Sequence, residues 1–242
     1  MNTIVWIHGF PLSSEVFAAQ RSIEGVRHVM PDLPGFGNAP AESGGEPPHS
    51  KSIDDYARFI LDQTAGDFYA AGLSMGGYIA LALARLAPER LKGLILLDTR
   101  ETPDTAEARK GRYDTIEKVR EEGVEPVVES MLPKMLTANA PPEMRERVRQ
   151  IMSTSSREGV IAALRAMAER PDSSPLLPSI NVPVLIIVGE EDSITPPVDA
   201  ERMANALPKA TLVKIPGAAH LANVEKAADV NAAILDYVEP RE

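Results

Sequence analysis

The chain has no cysteine, so disulfides, thiolate metal ligands and a cysteine nucleophile are excluded at the outset. It is short of positive charge, with 25 Lys and Arg against 35 Asp and Glu and a formal net charge of −10. That balance argues against a nucleic-acid partner, which needs a basic surface, and against anionic membranes. No apolar run approaches the about 20 residues that span a membrane. The opening run Thr3 to Ile7 lacks a basic flank and is broken at His8, so it does not read as a signal segment. The expectation is a soluble, cytoplasmic protein. There is no His-Glu-x-x-His, no Gly-x-Gly-x-x-Gly, no phosphate loop with Lys and no internal repeat, so neither a metal nor another cofactor is expected.

The 242 residues, 44% of them apolar, are enough to bury one large core with an insertion. Thr3 to Ile7, Val26 to Met30, Phe68 to Ala71, Leu91 to Leu97, Val182 to Val188 and the weaker Thr211 to Ile215 are apolar runs of strand length. Between them lie helical patterns, such as Ser52 to Thr64, where Ser52 and Asp55 suggest a capping box, and the nearly all-apolar Tyr78 to Leu86. Strand and helix alternation predicts an α/β protein with a mostly parallel sheet of about six strands covered on both faces. Val26 to Met30 should be an uncovered edge, compatible with a homodimer. From Arg100 to Pro178 the pattern is charge-rich and helical, in pieces separated by Gly123, Pro133, Pro141-Pro142 and Ser153 to Ser156. The expected organisation is a core from 1–99 and 179–242 with a helical cap inserted at 100–178. Met131, Leu132, Met135 and Leu136 make one helical stripe, read as core packing or as the wall of a deformable pocket.

The sharpest motif is Gly72-Leu73-Ser74-Met75-Gly76, set between a strand and an apolar helix. A serine at a tight strand-to-helix turn occupies a strained backbone, and flanking glycines remove Cβ atoms that would collide there. The helix N-terminus directs backbone N–H groups at developing negative charge. Ser74 is therefore the candidate nucleophile.

With this motif the chain resembles the α/β-hydrolase fold family, in particular its small esterase, enol-lactone hydrolase and cofactor-free haloperoxidase branches. His8-Gly9-Phe10-Pro11 resembles the family's oxyanion loop, which implies Phe10 and Met75 as backbone donors. Asp32-Leu33-Pro34-Gly35-Phe36-Gly37 resembles a bracing turn of the same family. A serine needs a base, and there are four histidines: His8, His28, His49 and His220. His8 falls in the oxyanion loop, His28 in a strand and His49 in a polar stretch, whereas Pro216 to His220 resembles the family's catalytic histidine turn. Gly189-Glu190-Glu191-Asp192 resembles its Gly-x-x-Asp, which implies Asp192 as the acid. Asp98, which ends Leu91 to Leu97 at a position some relatives use, competes with it. The resemblance implies a serine hydrolase acting on small carboxylic esters or lactones through an acyl-enzyme. The alternatives are perhydrolysis on the same residues, with peroxide replacing water, and a non-catalytic small-molecule receptor. The family usually carries an N-terminal β-hairpin before the strand leading into His-Gly, and here that strand starts at Thr3.

Overall fold

A computed structural model describes residues 1–41 and 52–239. Six strands form one sheet: β1 (Asn2–Ile7), β2 (Val26–Val29), β3 (Phe68–Leu73), β4 (Leu91–Leu97), β5 (Val184–Gly189) and β6 (Ala210–Ile215). Their order is β2-β1-β3-β4-β5-β6, and every neighbouring pair is parallel. The expected α/β class and strand number are observed, and β2 lies at one edge.

Side chains alternate across the pleat, and this sorts the core into two apolar layers. Val5, Ile7, Leu94, Leu96, Val184 and Ile186 face one side. There they meet α1 (Ile53–Asp62), α2 (Met75–Leu86) and α7 (Pro197–Ala206). Ile4, Trp6, Ile95, Leu97, Leu185 and Ile187 face the other, against a 3₁₀ segment (Ser14–Ser22), α8 (Ala222–Glu225) and α9 (Ala227–Val238). Each fully buried side chain of this size is worth about 1.5–3 kcal/mol. Ser52 caps α1 by the anticipated capping box with Asp55.

Four helices lie between β4 and β5: α3 (Ala106–Glu122), α4 (Glu125–Met135), α5 (Pro142–Ser153) and α6 (Arg157–Ala168). Ile116, Val119, Val160 and Leu164 join the first layer, and Val128, Leu132, Val148 and Ile151 join the second. Most of the methionine stripe is core, since Met135 and Leu136 are buried, while half-buried Met131 packs against both layers.

Beyond shifts of one to three residues at other element ends, three details differ from the sequence reading. Pro133 does not separate two helices but sits in the last turn of α4, where it is exposed and forfeits one hydrogen bond. β5 begins at Val184 rather than Val182, because Pro183 has no N–H to pair; its carbonyl still accepts from Leu94 N–H at 3.1 Å. The 3₁₀ segment Ser14–Ser22 has no counterpart in the periodicity reading.

Among the described residues no helix is long and apolar enough to cross a membrane.

Candidate active site

The parallel register brings one end of five strands together. Ile7 is paired with Gly72, Gly72 with Leu96, Leu97 with Ile187 and Gly189 with Ile215. The loops that follow these strands therefore share one rim, at the carboxyl ends of the strands, where open α/β sheets bind ligands.

Ser74 sits between β3 and α2 at φ 53° and ψ −111°, in the left-handed region that costs a non-glycine residue conformational energy. Its backbone is held from two sides: Ser74 N–H donates to the Leu97 carbonyl at 2.9 Å, and Thr99 Oγ1 donates to the Ser74 carbonyl at 2.7 Å. The flanking glycines are required by contact. A Cβ at Gly76 would lie 1.9 Å from the Ile7 carbonyl oxygen, and one at Gly72 would lie 2.2 Å from that of Gly76. Met75 is the first residue of α2, so its N–H has no partner four residues back in the helix.

On the neighbouring loop, a Cβ at Gly9 would lie 3.1 Å from Ser74 Cβ, so the Gly9–Phe10 backbone runs against the serine. His8 is buried and fixes this loop. Its Nε2 accepts from Leu33 N–H at 2.9 Å, which leaves the proton on Nδ1 to donate to the Gly9 carbonyl at 2.9 Å. Burial pulls its pKa down to about 4, against the opposing pull of the Gly9 carbonyl and Asp32, so the ring is neutral. The Gly9 carbonyl and the Phe10 N–H belong to one peptide plane and point in opposite directions. Holding the carbonyl thus orients the N–H. Asp32 in turn accepts from Ser14 N–H at 2.7 Å and Asn38 N–H at 2.9 Å, a bracing turn.

The structure brings Ser74, His220 and Asp192 together. His220 Nε2 is 2.9 Å from Ser74 Oγ, and His220 Nδ1 is 2.8 Å from Asp192 Oδ2. His220 is 1% exposed, whereas Ser74 is reachable from solvent. Asp192 Oδ1 accepts from the N–H groups of Ile194 and Thr195 at 2.7 and 3.0 Å, and Oδ2 also accepts from Thr195 Oγ1 at 2.6 Å. Burial pushes the Asp192 carboxyl up, but the imidazole and these donors outweigh it and hold the group below the usual carboxylate value.

Asp98 lies outside this chain of contacts. It is fully buried at φ 43°, with Oδ1 accepting from Gly189 N–H at 2.8 Å and Oδ2 facing Ala222 N–H at 3.4 Å. Its partners are backbone groups on the two loops that carry Asp192 and His220. Burial, reinforced by the charge of Asp192, pushes its pKa well above the ordinary 3.8. With the folded value above the unfolded one, its stabilising contribution is full below pH about 4 and is lost as pH rises through the raised pKa. Asp98→Asn removes this dependence and keeps the Gly189 contact. Its melting temperature relative to the parent is expected to climb as pH rises from about 4 toward 8, and kcat to fall less than about tenfold. Parallel melting curves across that range would sink the assignment.

Of the remaining histidines, His28 accepts from Trp6 Nε1 at 3.0 Å, remote from the serine, and His49 lies outside the described residues. Among the described residues no cluster of three or more His, Asp or Glu is arranged to hold a metal ion.

A doubly covered parallel sheet with a serine elbow at its rim defines a hydrolase. The chain belongs to the α/β-hydrolase fold family, whose sequence profile, described as alpha/beta hydrolase fold, matches residues 2–227. It is 31% identical over 201 residues to 3-oxoadipate enol-lactonase 2 of Acinetobacter baylyi, covering 77% of this chain and 73% of that protein. Among solved structures it resembles a thermophilic esterase from Thermogutta terrifontis with malate bound. The TM-score is 0.91 at 37% identity, over 98% of this chain and 89% of that one. The enol-lactonase of Burkholderia xenovorans gives 0.88 at 25% identity, over 98% and 91%.

Proposed function

We propose that the protein is a serine esterase or lactonase that cleaves small carboxylic esters or lactones through an acyl-enzyme on Ser74. The observation that carries this reading is the unbroken hydrogen-bonded line Ser74 Oγ, His220 Nε2, His220 Nδ1, Asp192 Oδ2, with spacings of 2.9 and 2.8 Å. In this mechanism His220 takes the hydroxyl proton as Oγ attacks the carbonyl carbon, and the electron pair moves to the carbonyl oxygen. The N–H groups of Phe10 and Met75 receive that oxyanion, at the start of α2 where the helix dipole also favours it. The tetrahedral intermediate collapses, the leaving alcohol takes the proton from His220, and the acyl group stays on Ser74. Water then repeats the cycle, returning the acid and the free serine. No metal or organic cofactor enters these steps.

The relatives named as enol-lactonase and esterase support the same class of substrate. We further infer that 100–178 acts as a cap over the rim, since α4 to α6 dock on the loops around Ser74.

Burst kinetics with p-nitrophenyl acetate test the proposal. A stoichiometric burst of p-nitrophenol, with the acetyl group found by mass spectrometry on the peptide holding Ser74, is expected. Absence of both burst and turnover would favour a non-catalytic receptor. Peracetate formation faster than hydrolysis when peroxide is added would favour perhydrolysis.

A further inference from the structure

Two backbone N–H groups beside His220, those of Leu221 and Ala219, are anchored, one directly on the end of α4 and the other through Glu225 of α8. Leu221 N–H donates to the Met135 carbonyl, the last residue of α4, at 3.0 Å. Ala219 N–H donates to Glu225 Oε2 at 2.8 Å, and the other oxygen of the same carboxylate accepts from Thr137 N–H at 2.9 Å and Thr137 Oγ1 at 2.6 Å. Thr137 follows α4 directly, so one carboxylate bridges the loop after α4 and the residue before the imidazole. A cleft of about 280 Å3 runs along this seam, lined by Thr137, Asn139, Pro141, Glu191, Gly217 and Lys226. The seam is therefore open to solvent on one side, with these polar contacts beside the apolar packing of Met135, Leu136 and Leu221.

We propose that Glu225 is a positioning residue that makes the end of α4 and the histidine turn one unit. His220 is aimed at Ser74 only while the loop after α4 is seated. The bridging carboxylate accepts three hydrogen bonds, and charge-assisted bonds of this kind are the stronger sort. On the sheet side of the same turn, Asp98 Oδ2 faces Ala222 N–H at 3.4 Å and the Ala218 carbonyl accepts from Glu191 N–H at 2.9 Å, so neither contact reaches the loop after α4. Losing the bridge frees the Ala218–Ala219 peptide, one link before that of His220, and a shift of about 1 Å at a reacting group costs up to about 100-fold in rate. The substrate is not touched by Glu225, so binding is unaffected while proton transfer slows.

The inference rests on His220 being the base, and its test separates the two ideas. Glu225→Ala, Glu225→Gln, Thr137→Val and the double variant Thr137→Val/Glu225→Ala are assayed with p-nitrophenyl acetate beside Ser74→Ala. Glu225→Ala is expected to lose about tenfold or more in kcat with KM nearly unchanged. Glu225→Gln recovers part of this, because its amide oxygen still accepts from Thr137. Thr137→Val gives a smaller loss, and the double variant matches Glu225→Ala, since both act through one carboxylate. A downfield proton magnetic resonance is expected for His220 Nδ1–H in the parent, and it should broaden or shift in Glu225→Ala. Parent-level kcat with an unchanged imidazole signal in Glu225→Ala overturns the proposal, as do losses that add independently in the double variant. If Glu225→Ala does not fold, parent-level kcat in both Glu225→Gln and Thr137→Val overturns it. Turnover surviving in Ser74→Ala would instead overturn the underlying mechanism.

Discussion

Ser74→Ala is expected to lower kcat on an activated ester by on the order of 10⁴-fold or more while leaving the fold intact. The substitution removes one oxygen and nothing that holds the elbow. The bonds that fix this turn, Ser74 N–H to the Leu97 carbonyl and Thr99 Oγ1 to the Ser74 carbonyl, use only the serine backbone. Alanine at φ 53° bears the same backbone strain that serine bears, so no new penalty arises. What disappears is the atom 2.9 Å from His220 Nε2, and with it the acyl-enzyme. Thermal melting and a steady-state assay on the same preparation check both halves. A folded variant that keeps near-parent turnover would mean that the reaction does not pass through Ser74.

Asp192→Asn carries the second large effect, and the hydrogen bonds decide its sense. Two backbone N–H groups, from Ile194 and Thr195, converge on Oδ1. In the variant they hold the amide oxygen at that position, and the NH2 then occupies the place of Oδ2, 2.8 Å from His220 Nδ1. Facing a donor, Nδ1 must accept, so the ring proton moves to Nε2 and that nitrogen has no lone pair for the serine proton. A loss of roughly 10²-fold or more in kcat follows; a comparable change in a serine protease costs about 10⁴. Asp98→Asn is the control, because its carboxyl meets only backbone N–H groups. Should Asp98→Asn abolish turnover while Asp192→Asn is mild, the acid belongs to the loop after β4.

Features written in short-range pattern were legible in the sequence. β4 has the bounds of its apolar run, α1 starts at its capping box, and the elbow glycines stand where the first turn of α2 crowds against the backbones of β1 and β3. The choice between Asp98 and Asp192 was not settled there, because both follow a buried strand. Only the positions of their loops put one carboxylate on the imidazole and the other on the peptides that carry it. His8 read as part of a loop, and its bracing role needs the Leu33 N–H, 25 residues away. Glu225 belongs to no motif in the sequence, and the contact that gives it meaning is with Thr137, 88 residues earlier. Periodicity has no term for such distances. The 3₁₀ segment Ser14–Ser22 was not legible for a related reason: its buried face pairs Val16 and Phe17 with the polar Ser14 and Gln20, so apolar residues alone do not mark it.

The position of β6 at the open edge of the sheet separates the durability of the site from that of the core. Ser74 and the two N–H groups proposed to receive the oxyanion follow the inner strands β1 and β3, whereas His220, the proposed base, follows the strand with a single neighbour. Edge elements open at lower free energy than central ones. Trp6, the sole tryptophan, is wholly buried in β1. Turnover and tryptophan emission thus watch different regions: under mild denaturant turnover is expected to fall before the emission of an indole that packs on Phe17 and His28, far along the sheet from β6. Coincident loss of the two signals would mean that the strand and the core open together.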